Sequence, residues 1–160
     1  MPTPTYTPLA TVTLASSASS VTFSSIPATY RDLILVMNGS PSTGSYAFLR
    51  FNGDSGSNYN YIFMYGDGSS AVSQSFTSQT QGYIGNIDAT VRTTFIAQVM
   101  DFSATDKHKT FLSRNGQAAG LVIATAGRWA NTSAVTSMSV NINSGTFAIG
   151  HTFSLYGVIA

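Results

Sequence analysis

The 160-residue chain contains no cysteine and no glutamate, and its only lysines are Lys107 and Lys109. Without cysteine there are no disulfides and no thiolate metal ligands, and the redox compartment is left open. Charged residues make up 8% of the chain, against about 25% in an average globular protein. Its arginines, at positions 31, 50, 92, 114 and 128, are scattered, and the net charge is +1. No basic stripe exists to neutralise phosphates, which argues against nucleic-acid binding. No apolar run approaches the roughly 18 residues a membrane-spanning helix needs. The N-terminus "MPTPTYTPLATVTLASSASS" has neither the basic start nor the apolar stretch of a secretory signal. The missing Glu and Lys are also the residues that normally cover helices. Their place is taken by Ser, Thr, Asn and Gly, which join strands through turns.

What is present alternates with a period of two. The first eight residues, with prolines at 2, 4 and 8, read as an extended arm over 1–8, ahead of one domain over 9–160. Val12 and Leu14, then Val21 and Phe23 across "ASSASS", predict a hairpin. "RDLILVMNG" (31–39) is a continuous apolar run, which fits a strand buried on both faces. "SYAFLRFNG" (45–53) and "NYIFMYGDG" (60–68) are aromatic-rich strands stopped by glycine. "TTFIAQVMDF" (93–102) and "KTFLSRNG" (109–116) form a pair around the charged tip "SATDKHK". Segments 120–127, 134–143 and 145–160 complete the set. About ten strands with turn signals every 8–12 residues are the spacing of sandwiches and barrels. The expected fold is all-β: a jelly-roll-like two-sheet sandwich of short antiparallel strands, with an incompletely closed barrel as the alternative.

Chemistry is hard to place on this chain. "RFNGDSGSNYNYIFMYGDGSS" (50–70) carries Asp54 and Asp67 among glycines and asparagines. A calcium loop wants alternating oxygen ligands closed by a bidentate carboxylate, and no glutamate is available. A weak site from Asp54, Asn58 and carbonyls stays open beside the preferred reading, which is turn chemistry. Within it Tyr59, Tyr61, Phe63 and Tyr65 alternate with Asn60, Ile62 and Met64, so one row faces the core and the other is free to be exposed. His108 and His151 are far apart and no clustered zinc spacing accompanies them. Asp106 and His108 lie near serines without a nucleophile elbow, and "NGQAAG" lacks the lysine of a phosphate loop. No catalytic residue, cofactor or metal is assigned. Trp129, beside Arg128 in "AGRWANTS", is either an amphipathic face for a sugar or a subunit, or a plug in the core.

The order of "SVTFSSIPATYRDLILVMNG", "LRFNGDSGSNYNY", "GRWANTSAVTSMSVNI" and "FAIGHTFSLYGVIA" resembles small virion proteins and fibre-tip domains of tailed bacteriophages, particularly those of cyanobacterial and marine phages. The resemblance spans most of residues 20–160. It implies a β-sandwich that assembles on a virion, usually as a homotrimer, and no reaction. Two roles follow. One is a capsid decoration protein bridging major capsid protein subunits; the other is a tail-fibre or spike head holding a host glycan. A short chain with its own Met and without heptads or a stalk repeat favours the first. The contact residues expected are Pro2, Pro4, Tyr6 and Pro8 of the arm, with Tyr59, Tyr61, Arg128 and Trp129 as subunit or glycan contacts.

Overall fold

The computed structural model describes residues 4–117 and 120–159. Their twelve strands, β1 (Tyr6–Thr13), β2 (Ser20–Phe23), β3 (Asp32–Gly39), β4 (Ser45–Phe51), β5 (Tyr59–Gly66), β6 (Ala71–Gln79), β7 (Gly82–Ile87), β8 (Thr93–Met100), β9 (Lys109–Gly116), β10 (Val122–Trp129), β11 (Met138–Ile142) and β12 (Thr152–Val158), are joined without any helix among the described residues. An eight-stranded sheet runs β1-β12-β3-β8-β9-β10-β5-β6 and a four-stranded sheet β2-β11-β4-β7. Every pairing is antiparallel. The fold is the jelly-roll-like two-sheet β-sandwich expected, not the incompletely closed barrel.

Alternation puts one row of each strand between the sheets. Leu33, Leu35 and Met37 of β3, Phe95, Ala97 and Val99 of β8, and Phe153 and Leu155 of β12 are buried there. They meet Val21 and Phe23 of β2, Ala47, Leu49 and Phe51 of β4, and Met138 and Val140 of β11 in one core. Phe111 fills the gap between Gly82 in one sheet and Gly127 in the other. A Cβ on either glycine would collide with its ring.

Four expectations change. Of the segment read as an extended arm over 1–8, residues 6–8 already belong to strand β1, paired with β12 from Tyr6↔Val158. Pro8 is accommodated because β1 is an edge strand, and the register shifts between Pro8 and Ala10. β1 and β2 form no hairpin: "ASSASS" carries the chain from one sheet to the other. Strand β3 is buried on one face only, since Ile34 and Val36 on the other are partly exposed. Finally, β6 and β7 are additional strands, the first mostly polar and exposed. The pairing of β8 with β9 stands as read.

The aspartates of the 50–70 stretch hold turns. Asp54 Oδ1 accepts the Gly56 N–H (2.8 Å), while Oδ2 accepts Asn58 Nδ2 (2.8 Å) and Trp129 Nε1 (2.7 Å). Asp67 Oδ1 accepts the N–H groups of Ser69 (2.9 Å) and Ser70 (2.7 Å) across the β5–β6 tip. Gly68 there has φ +86°, a conformation open chiefly to glycine.

Candidate functional site

The eight expected contact residues divide sharply. Tyr59 is fully buried, and its hydroxyl accepts the Phe51 N–H at 2.9 Å. Burial raises that phenol to about 12. Trp129 lies inside β10 rather than in a turn, is 1% exposed, and stacks on Tyr59 with ring centroids 6.4 Å apart. Both plug the sandwich and are closed to a partner. Burial alone would raise Asp54; hydrogen bonds from Trp129, Asn58 and Gly56 outweigh it and hold the carboxylate below its usual range. Tyr61 is buried at the floor of a cleft described below. Pro4, Tyr6, Pro8 and Arg128 are exposed, and Pro2 lies outside the described residues.

The other candidates also separate. Asp106 and His108 are exposed on the tip between β8 and β9, where Lys107 pairs with Asp101 at 3.5 Å. His151 is 1% exposed, packed against Phe147 and Phe153, with neither ring nitrogen hydrogen-bonded. Burial, reinforced by Arg92, pushes it down to about 4. Lys109 is fully buried and donates to the carbonyls of Lys107 (2.9 Å) and Thr132 (3.1 Å). Burial lowers its ammonium, against the opposing pull of Asp106 and Asp101. Among the described residues no group of three or more His, Asp or Glu is placed to hold a metal.

Two surfaces stand out. The first is the outer face of the eight-stranded sheet. Cross-strand registry aligns Tyr156, Ile34, Gln98, Leu112, Ala126 and Ile62 in one row. Beside it run Val36, Ile96, Arg114, Ala124 and Met64. Tyr6, Ile62, Met64, Leu112 and Val122, five of the eight large apolar side chains exposed among the described residues, lie on this face. Two shallow depressions, of about 460 and 630 Å³, mark it. Arg114 and Arg128 are exposed within it, and at its rim the exposed Arg31 (3.1 Å) and Gln98 (3.0 Å) cover the buried carboxylate of Asp32. Burial would raise Asp32, but these partners and the Asp101 N–H keep it low. Tyr6, Pro8 and Arg128 of the expected set belong to this face. Sequence reading left its centre undecided between the two rows of β5, because alternation does not say which row the second sheet covers.

The second surface is an aromatic cleft. The four-stranded sheet ends at β7, so β5 and β6 project past its edge. Their inward side chains are covered only in part. Tyr61, Phe63 and Tyr65 of β5 and Phe76 of β6 face Tyr46, Phe48 and Tyr83 of β4 and β7 around about 540 Å³. Phe76 stacks on both Tyr61 (5.2 Å) and Phe63 (5.7 Å). The Tyr83 ring meets Phe63 at 5.0 Å, and its hydroxyl donates to Asn86 Oδ1 at 2.8 Å. Gln74 and Asn86 are the amides of the wall.

No protein-family model matches the sequence, and no characterised protein matches it. Solved structures with related shape include an exo-inulinase from Aspergillus awamori (TM-score 0.43, 9% identity, 96% of this chain and 29% of that one). The chain therefore spans less than a third of that enzyme. A marine alginate lyase from Aplysia kurodai (TM-score 0.39, 12% identity, 83% and 70%) and a galectin from Caenorhabditis elegans (TM-score 0.39, 8% identity, 91% and 94%) are similar to the same degree. Identities and scores this low carry no functional statement about the chain.

Proposed function

We propose that this protein is a non-catalytic assembly module that docks through the outer face of its eight-stranded sheet onto another protein of a virion shell. The observation that carries the reading is the apolar centre of that face. Eight strands at about 4.8 Å, each some 20 Å long, make a face of roughly 800 Å², the share one partner contributes to a standard interface. Apolar patches beyond a few hundred Å² mark interaction surfaces on otherwise soluble domains. The polar border and the small number of charges fit, because desolvating hydroxyls and amides that find partners costs less than stranding ions.

Charge favours a different partner over a second copy on this face. Arg114 and Arg128 would confront their own kind in a face-to-face pair, whereas a surface bearing carboxylates would complement them. In the finer reading, which rests on the phage resemblance, that partner is the major capsid protein and the chain is a decoration protein. Its homotrimer would bridge coat subunits, and sedimentation equilibrium measures that state directly. Many copies with modest contacts would reinforce one another on a lattice.

The test is reconstitution on undecorated heads with the wild type and a Met64→Asp/Leu112→Asp variant. Wild-type protein should co-sediment near stoichiometrically with coat protein, and the variant should remain in the supernatant. Heads that take up both proteins equally, or neither, would overturn the reading.

A further inference from the structure

From the chemistry of its walls, we infer that the cleft between β4, β5, β6 and β7 is a binding site for a neutral oligosaccharide. The inference is independent of the docking face, which lies on the opposite side of the large sheet.

Three features of the cleft lead to this ligand class. The first is the uncovered aromatic surface. Phe63, Tyr65 and Phe76 occupy inward positions that a second sheet would ordinarily bury, yet they remain partly exposed because the four-stranded sheet stops at β7. Tyr46 closes the opposite lip and is 50% exposed. At about 540 Å³ the cleft has the size of ordinary ligand sites, roughly 300–1,000 Å³. Flat rings with hydroxyl tips suit a ligand that has apolar faces and polar edges, and pyranose rings have both.

The second feature is the absence of charge. No ionised side chain lines the cleft, whose polar contributors are Gln74, Asn86 and the tyrosine hydroxyls. Asn86 uses Oδ1 for the Tyr83 hydroxyl, and its amide nitrogen has no acceptor among the described residues. Amides offer both donor and acceptor to vicinal hydroxyls. A phosphate, sulfate or uronate would find no cation here, and burying it unpaired would be costly.

The third feature is continuity. A polar annex of about 320 Å³ shares Tyr46 and Asn86 with the cleft and adds Ser45, Asn143, Ser144 and Gln117. Its carboxylate, Asp88, is anchored through one oxygen: Oδ1 accepts the Thr90 hydroxyl (2.7 Å), the Thr90 N–H (2.7 Å) and the Val91 N–H (3.2 Å). A ring stacked in the aromatic part would thus extend its next residue across hydroxyls and amides. A purely apolar peptide would leave that annex unused.

The experiment is affinity electrophoresis of the whole chain in gels carrying β-glucan, α-glucan, mannan or galactan, with alginate as the anionic control. At least one neutral polymer should retard the protein and alginate should not. Tyr65→Ala and Gln74→Ala, checked for an unchanged melting temperature, should each weaken retardation at least about tenfold, the effect of one lost ring or amide contact. Tyr46→Ala, fully on the lip, gives the same reading if Tyr65→Ala unfolds. No retardation by any neutral polymer, equal retardation by alginate, or variants that migrate as the wild type would overturn the inference.

Discussion

His151 shows how a single side chain acquires meaning only from its neighbours. In sequence it is one of two histidines, far from the other and without clustered metal-ligand spacing. In the fold it sits between Phe147 and Phe153, beneath the Cα of Gly39, with both nitrogens unpartnered. Its folded pKa of about 4 lies below the unfolded value of about 6.5. The unfolded chain therefore binds the proton first, and stability falls as pH drops from about 6.5 to 4, then levels for this group. Unfolding free energies extrapolated from denaturant titrations at pH 7 and pH 5 should differ by about 2 kcal/mol in the wild type, and much less in His151→Phe. Equal losses in both proteins would remove His151 as the cause. Asp54 behaves with the same sign but lower on the scale. Its depressed pKa contributes stability above about pH 4, which is lost as pH falls further. Trp129→Phe deletes one of its donors and should cost about 1–3 kcal/mol at pH 7, read by urea unfolding. Nothing local to "AGRWANTS" announced this pairing, because donor and acceptor are 75 residues apart.

At the scale of strands, much was legible and the exceptions are instructive. β5, β8 and β9 follow from hydrophobic alternation, β3 from its continuous apolar run, and the β8–β9 pair from the charged tip between them. Strand β6 escaped because an edge strand half in solvent, "AVSQSFTSQ", buries only in part its Val72 and Phe76. Strand β7, "GYIGNI", was hidden by two glycines that ordinarily weaken strands. Gly82 explains itself in space: with Gly127 it makes room for Phe111. Gly127→Ala should therefore overpack the core and destabilise by about 1–3 kcal/mol, measured as a lower urea midpoint at unchanged m-value. An unaffected midpoint would mean that the ring has room to shift. The continuous apolar run of β3 carried a correct signal with an incomplete interpretation. Both its faces are apolar, but only one finds cover within the chain.

Across the whole molecule, that half-covered strand becomes a sheet-wide property. The sequence determines that the outer face is apolar, since Ile34, Ile96, Leu112, Ile62 and Met64 are all in phase. It does not reveal which strands lie side by side, so the patch was invisible until registry assembled it. The cleft was hidden for a related reason: Tyr46, Phe63, Phe76 and Tyr83 come from four strands and two sheets. The Met64→Asp/Leu112→Asp variant, altered only at exposed positions, should keep its melting temperature within a few degrees while losing attachment to heads. A variant that melts much earlier would show that the face stabilises the isolated fold.

The arrangement of the first and last strands also governs how the protein is made. β12 is wedged between β1 and β3, so the N-terminal strand has no neighbour until residues 152–158 leave the ribosome. Strands β3, β8, β9, β10, β5 and β6 can pair before β12 exists, whereas β1 joins the large sheet only once β12 has been made. A nascent chain paused before Thr152 presents β1 with no partner and β3 with one open edge to the chaperones around it.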